Sequence, residues 1–154
     1  MITYVKSNLF DLKVDAYVNP VNCVGVMGGG LAAEFKERYH FNYQEYRRAC
    51  LDSTLAPGKC LAVRDDFLGK EAWIINFPTK VDWRNPSQYS YILEGLVDLV
   101  SFIKTSQTLK DPITSIAIPA LGCGLGGLEW DKVRPMIHEK LKSLRCDIYV
   151  TEPM

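Results

Sequence analysis

Histidine is nearly missing from this chain: His40 and His138 are the two in 154 residues. Five cysteines are present, but no two of them have C-x-x-C spacing. These shortages exclude a histidine-rich metal centre and a zinc-ribbon pattern. An odd number of unpatterned thiols points to reduced cysteines and not to a disulfide framework. Net charge is missing too, because 18 Lys and Arg balance 18 Asp and Glu. Without surplus positive charge there is no strong non-specific grip on a nucleic-acid backbone, although a local basic patch stays open. No apolar run approaches the length that spans a bilayer, and the N-terminus lacks a signal-peptide pattern. A cytoplasmic protein with no membrane contact is the expectation. There is no internal repeat, low-complexity segment or linker, so residues 1–154 are expected to form one domain. With 47% hydrophobic residues, the chain can fill one sizeable core.

What the sequence does have is glycine, concentrated in two places. Residues 116–130 run from an apolar segment, Ile116-Ala117-Ile118-Pro119, through four glycines in six residues (Gly122, Gly124, Gly126, Gly127) to an amphipathic segment. A buried strand, a glycine turn and a helix start are the layout of a phosphate cradle. Glycines let a ligand approach the backbone closely, and the helix N-terminus adds free N–H groups and a positive dipole end. No Gly-Lys-Ser/Thr follows, so this is not a Walker loop. Gly122, Gly124 and Gly127 match G-x-G-x-x-G spacing, but no βαβ unit and acidic residue come after them. Residues 14–32 repeat the layout, with Gly25, Gly28, Gly29 and Gly30 between an apolar strand and Leu31-Ala32. Two such loops at the carboxyl ends of strands suggest one ligand with two phosphates held between them.

The remaining pattern alternates strands and helices. Strands are expected over residues 1–6, 16–21, 59–64, 72–78, 115–119 and 147–151. Helices are expected over 31–39, from Asn42 to about Leu51, from Ser87 through Ile103, and from Asp131 through Leu141. Asn42 and Ser87 are candidate caps, with Glu45 at the capping-box position after Asn42. Residues 65–70 read as a loop. The spacing of Ile92, Leu96, Leu99, Val100 and Ile103 gives one apolar helix face, as do Val133, Ile137 and Leu141. Alternation of this kind implies a three-layer α/β/α fold.

Several side chains near the loops could carry chemistry. Lys80 follows a buried strand directly, so a rigid element holds it at the glycine-loop edge. There it can meet a phosphate or, if desolvated, act as a base or an amine nucleophile. The competing account is a solvated loop lysine. Asn22 ends a strand, where its amide can donate to and accept from sugar hydroxyls, or can simply form a turn. Trp83 and Arg84 could stack on or pair with a base or phosphate of DNA, or form an exposed amphipathic pair. Asn19 reads as structural, and Phe10, Phe35 and Tyr149 as core. Cys23 and Cys123 flank the loops without a nearby histidine and read as small packing residues.

Taken together, Asn19-Pro20-Val21-Asn22, Gly28-Gly29-Gly30-Leu31-Ala32 and residues 122–127 resemble a macrodomain, over nearly the whole chain. Within that family, Ile2-Thr3-Tyr4-Val5-Lys6, Gly25-Val26-Met27-Gly28, Asn76-Phe77-Pro78-Thr79-Lys80 with Trp83-Arg84, and residues 118–128 are similar to the branch of terminal ADP-ribose glycohydrolases and DarG antitoxins. The resemblance implies a mixed central sheet and an ADP-ribose site. Asn8 and Leu9 would meet the adenine. Met27, Gly28, Gly29, Gly30, Leu31, Thr79, Pro119, Leu121, Gly122, Cys123, Gly124, Leu125 and Gly126 would wrap the diphosphate and distal ribose, and Asn22 would hold that ribose. Lys80 matches the lysine that this branch uses for catalysis at the anomeric carbon. The implied activity is removal of ADP-ribose from a nucleobase in single-stranded DNA, reversing a DarT-type toxin, with no cofactor and no metal. Two positions depart from the pattern. Gly29 stands where DarG-type loops often carry lysine, and a triple glycine also occurs in ADP-ribose-1″-phosphate phosphatases. Gly126 stands where the terminal glycohydrolases place an aspartate. A phosphatase and a reader without turnover remain open at this level.

Overall fold

The apolar runs of the middle of the chain form the centre of one sheet. The computed structural model describes residues 1–153. Its strands are β1 (Ile2–Val5), β2 (Ala16–Val21), β3 (Leu61–Phe67), β4 (Lys70–Pro78), β5 (Ser115–Ile118) and β6 (Asp147–Thr151). Its helices are α1 (Gly30–Arg38), α2 (His40–Leu51), α3 (Tyr89–Ser106) and α4 (Trp130–Leu141). The sheet order is β1-β6-β5-β2-β4-β3. All pairs are parallel except β3 with β4, so the sheet is mixed as expected.

Side-chain parity shows why there are three layers. Successive strand residues point to opposite faces. Ala16 and Val18 of β2, and Ile75 and Phe77 of β4, join the α3 residues Ile92, Leu96, Leu99 and Ile103 and the α4 residues Val133, Ile137 and Leu141 in one core cluster. Tyr17 and Ile74, one residue out of step, pack instead with Phe35 of α1. Val21 packs with Tyr46 and Ala49 of α2. Central strands buried on both faces must be apolar throughout, which is why β2 and β4 lack polar alternation.

Three local expectations are corrected. Residues 65–70 are not a loop: β3 continues to Phe67 and turns at Leu68-Gly69, both with positive φ, straight into β4. Asn42 is not a cap. It lies inside α2 with no exposure, and its side chain exchanges hydrogen bonds with Asn76 of β4 (2.7 and 3.1 Å). The free amide of Asn42 in the first helical turn is satisfied by the Asp65 carboxylate of β3 at 2.8 Å, so the cap comes from across the fold. Ser87 is not a cap either. Gln88 holds that position, and the Ser87 hydroxyl is buried without a hydrogen-bond partner among the described residues.

The β2–β4 register, Ala16 opposite Trp73 through Val21 opposite Pro78, ends both strands at one level. Two further bonds extend the pairing past the strands, Thr79 N to Val21 O (2.9 Å) and Cys23 N to Val81 O (2.8 Å). The loops that follow β2 and β4 therefore leave the sheet together, beside the loop that follows β5.

Candidate active site

A cavity of about 780 Å³ opens at these three strand ends, a volume within the range of small-molecule sites. Pro20 and Val21 of β2 contribute to it. The first glycine loop and the start of α1 give Asn22, Val26, Gly28, Gly29, Gly30, Leu31 and Ala32. The loop after β4 gives Thr79, Lys80 and Trp83. The loop after β5 gives Pro119, Ala120, Gly122, Gly124, Leu125 and Gly126.

Asn22 shapes the first loop. Its Oδ1 accepts from the amides of Val24 (3.1 Å) and Val26 (3.4 Å), and its Nδ2 donates to the Val26 carbonyl (2.7 Å). The Tyr46 hydroxyl lies 2.7 Å from Oδ1 and 2.9 Å from the Asn22 carbonyl. Burial pushes the Tyr46 hydroxyl pKa far up, so it stays a neutral donor. With Oδ1 accepting three bonds and Nδ2 spending one N–H, the amide retains one donor for a ligand. Turn formation and a ligand-facing donor thus coexist at this residue.

The second loop is built by two glycines with different duties. Gly122 has φ +75°, a left-handed conformation that disfavours side chains. Gly126 is there for space. A Cβ on it would stand 2.4 Å from Ser87 Oγ and 2.5 Å from the Gly122 carbonyl. The amides of Gly124, Leu125 and Gly126 have no backbone acceptor among the described residues. Facing them are the first-turn amides of α1, which lack intrahelical acceptors by construction. Such convergent N–H groups suit an anion.

Lys80 joins the loops. Its Nζ donates to the carbonyls of Trp83 (3.2 Å) and Leu125 (3.1 Å). An ammonium has three donors, so one remains. The Leu125 side chain, 80% exposed, reaches to 3.8 Å from where a Gly29 Cβ would stand and 3.9 Å for Gly30. Val26, Trp83 and Leu125 thereby form an apolar rim around a cavity rich in backbone donors.

Other singled-out residues lie outside the lining. The Asn8 side chain accepts from Phe10 N at 2.9 Å and caps a short 3-10 turn. Leu9, Met27 and Leu121 are buried in three different core clusters. The Cys123 thiol donates to the Leu121 carbonyl. Burial raises both Cys23 and Cys123 to about 11, so neither is a thiolate near neutral pH. The Arg84 guanidinium is committed to Asp82, Nε to Oδ1 at 3.0 Å and Nη2 to Oδ2 at 2.7 Å. Hydrogen bonds from Arg84 hold the Asp82 carboxyl down at about 2. Sequence reasoning missed Pro20, Val21, Val26, Ala32 and Ala120. All five adjoin residues it did single out, so contiguity in the chain was the available signal.

A mixed six-stranded sheet with glycine loops over neighbouring parallel strand ends defines an α/β ligand-binding domain. The Macro domain family model matches residues 18–137, and the chain belongs to that family. It is 43% identical to a DNA ADP-ribosyl glycohydrolase of Thermus aquaticus over 155 residues, covering 100% of this chain and 42% of that protein. The macrodomain of Mycobacterium tuberculosis DarG superposes with a TM-score of 0.93 at 40% identity, covering 100% of this chain and 99% of that one. DarTG of Thermosipho africanus, solved in complex with ADP-ribose, matches with a TM-score of 0.90 at 34% identity, over 99% of this chain and 42% of that one. The chain thus spans less than half the length of the curated relatives it matches first. Among the described residues no helix is long and apolar enough to cross a membrane.

Proposed function

We propose that residues 1–154 act as one ADP-ribosyl glycohydrolase unit that removes ADP-ribose from a nucleobase in single-stranded DNA, in the cytoplasm, reversing a DarT-type toxin. The observation that carries this reading is Lys80, a residue of the cavity wall whose ammonium is bonded to the second glycine loop at the Leu125 carbonyl and keeps one donor free. Identity of 43% to a DNA ADP-ribosyl glycohydrolase supports the choice of acceptor. In this reading the loop amides hold the diphosphate, and the free N–H of Asn22 orients the distal ribose. The anomeric carbon then lies beside Lys80. Water is the co-substrate. The electron pair of the broken glycosidic bond and a proton go to the base, and the hydroxyl goes to the anomeric carbon. Lys80 stabilises or captures the opened sugar.

The test is single-stranded DNA carrying ADP-ribose on thymidine, incubated with wild type and Lys80→Ala. Loss of the modification is expected for wild type, with at least about a hundredfold lower rate for the variant. Free ADP-ribose binding by calorimetry should persist in both. Binding without turnover by the wild type would make the protein a reader. Borohydride added during turnover separates the two lysine roles, since only capture leaves a reducible adduct on Lys80.

A further inference from the structure

Zero net charge leaves open where a DNA strand would touch this protein. Arg84, beside the cavity, is neutralised by its two-point pairing with Asp82. Outside the cavity lining, two cations gather on one aromatic ring. Lys36 Nζ lies 4.9 Å from the centroid of the Tyr43 ring, and the Arg47 guanidinium lies 5.9 Å from it. Neither pairs with a carboxylate among the described residues. Tyr43 is half-buried, and both cations are exposed.

This group is continuous with the cavity. Ala32 lines the cavity and, with Cys23 and Tyr43, packs on the core cluster beneath the first loop. Lys36 is one turn further along α1 on the same side, about 6 Å up the axis. At about 100° per residue, Glu34 turns away from both. The nearest acid on α2, Glu45, is held by Arg48 at 3.1 Å. An aromatic ring beside unpaired cations is the chemistry that receives unpaired nucleotides, with stacking from the ring and phosphate neutralisation from the cations.

We propose that Lys36, Tyr43 and Arg47 form the track along which single-stranded DNA leaves the cavity, next to the modified nucleotide. The proposal rests on the DNA-directed reading above. A strand whose modified base enters between Trp83 and Val26 continues over Ala32. Its neighbouring base meets Tyr43, and the flanking phosphates meet Lys36 and Arg47.

The experiment measures KM on an ADP-ribosylated single-stranded oligonucleotide between 50 and 200 mM salt for wild type, a Lys36→Gln/Arg47→Gln double variant, Tyr43→Leu and Lys104→Gln. Lys104 is exposed at the far end of α3, about 20 Å along that helix from its start beside the second glycine loop. For the double variant, KM should rise about tenfold at 0.1 M salt, and the logarithmic salt slope should fall by about 1.4, as for two lost single-strand phosphate contacts. Affinity for free ADP-ribose should stay at the wild-type value. Tyr43→Leu should raise KM at least about fivefold. Lys104→Gln should match wild type. An unchanged KM and salt slope in the double variant, with wild type active on DNA, overturns the track. An equal KM rise on an ADP-ribosylated peptide assigns the surface to a protein acceptor and overturns it too. If wild type removes nothing from DNA, the functional reading itself fails.

Discussion

Gly126 shows how one absent side chain fixes a site. The position has no room for a Cβ, because Ser87 Oγ and the Gly122 carbonyl already occupy it. Gly126→Ala must push the second loop off α3 or out over the cavity. A loss of about 1–3 kcal/mol in urea unfolding is expected, together with a lower affinity for ADP-ribose in calorimetry. An unchanged affinity would mean that the loop amides do not hold the ligand. The thiols make a second prediction at this scale. Cys23 and Cys123 are raised to about 11 from 9.0 by burial, so the folded state holds those protons more tightly than the unfolded one. Their contribution to stability is complete below about pH 9 and fades as the pH climbs through 11. Alkylation of either thiol at pH 7.5 should be much slower in the native protein than in urea. What was legible in the sequence at this scale was chemistry carried by one residue at one strand end: Lys80, Asn22 and the glycines. What was not legible was partnership. That Arg84 is taken by Asp82 while Lys36 and Arg47 stay free depends on rotamers and on packing between elements.

At the scale of elements, the strands and apolar helix faces were readable because their periods are local, and β2 and β6 were bounded as they occur. Caps failed where the fold supplies them from a distance. The sequence offered Asn42 as a cap, yet Asp65 does that work from β3, and Asn42 instead ties α2 to β4 through Asn76. Asn42→Ala should therefore cost about 1–3 kcal/mol, since it removes two of the four side-chain hydrogen bonds of the buried Asn76 amide and leaves one of its N–H groups unpaired, while Asn19 and the Leu61 carbonyl keep the other two. A drop of under 0.5 kcal/mol in chemical denaturation would contradict that network. Gly95 lets α3 sit close against Phe77 of β4. A Cβ there would stand 2.3 Å from Phe77 Cζ. Alanine is the better helix former by about 1 kcal/mol, but in a closed core the overlap outweighs it, and Gly95→Ala should lower stability by about 1–2 kcal/mol net. Because Ser87, in the segment that leads into α3, donates its amide to Gly126 O at 3.0 Å, the same variant should raise the ADP-ribose dissociation constant.

For the molecule as a whole, the class of fold could be read from alternation and the family from a few loops. The order of strands could not, because no local signal says that β2 sits between β4 and β5. Nor does any local signal say that β1 lies against β6, with Ile2 opposite Ile148 and the amide of Ile148 bonded to the Met1 carbonyl at 2.9 Å. That pairing has a consequence during synthesis. Within this domain β1 is made before its only neighbour in the sheet, and it has to wait, with its apolar side uncovered, for a partner made well over a hundred residues later. Every loop of the cavity is translated before β6, yet the sheet that supports them is complete only after it. A domain of this design therefore completes its fold late and all at once, and a nascent chain halted before residue 147 should neither bind ligand nor resist proteolysis.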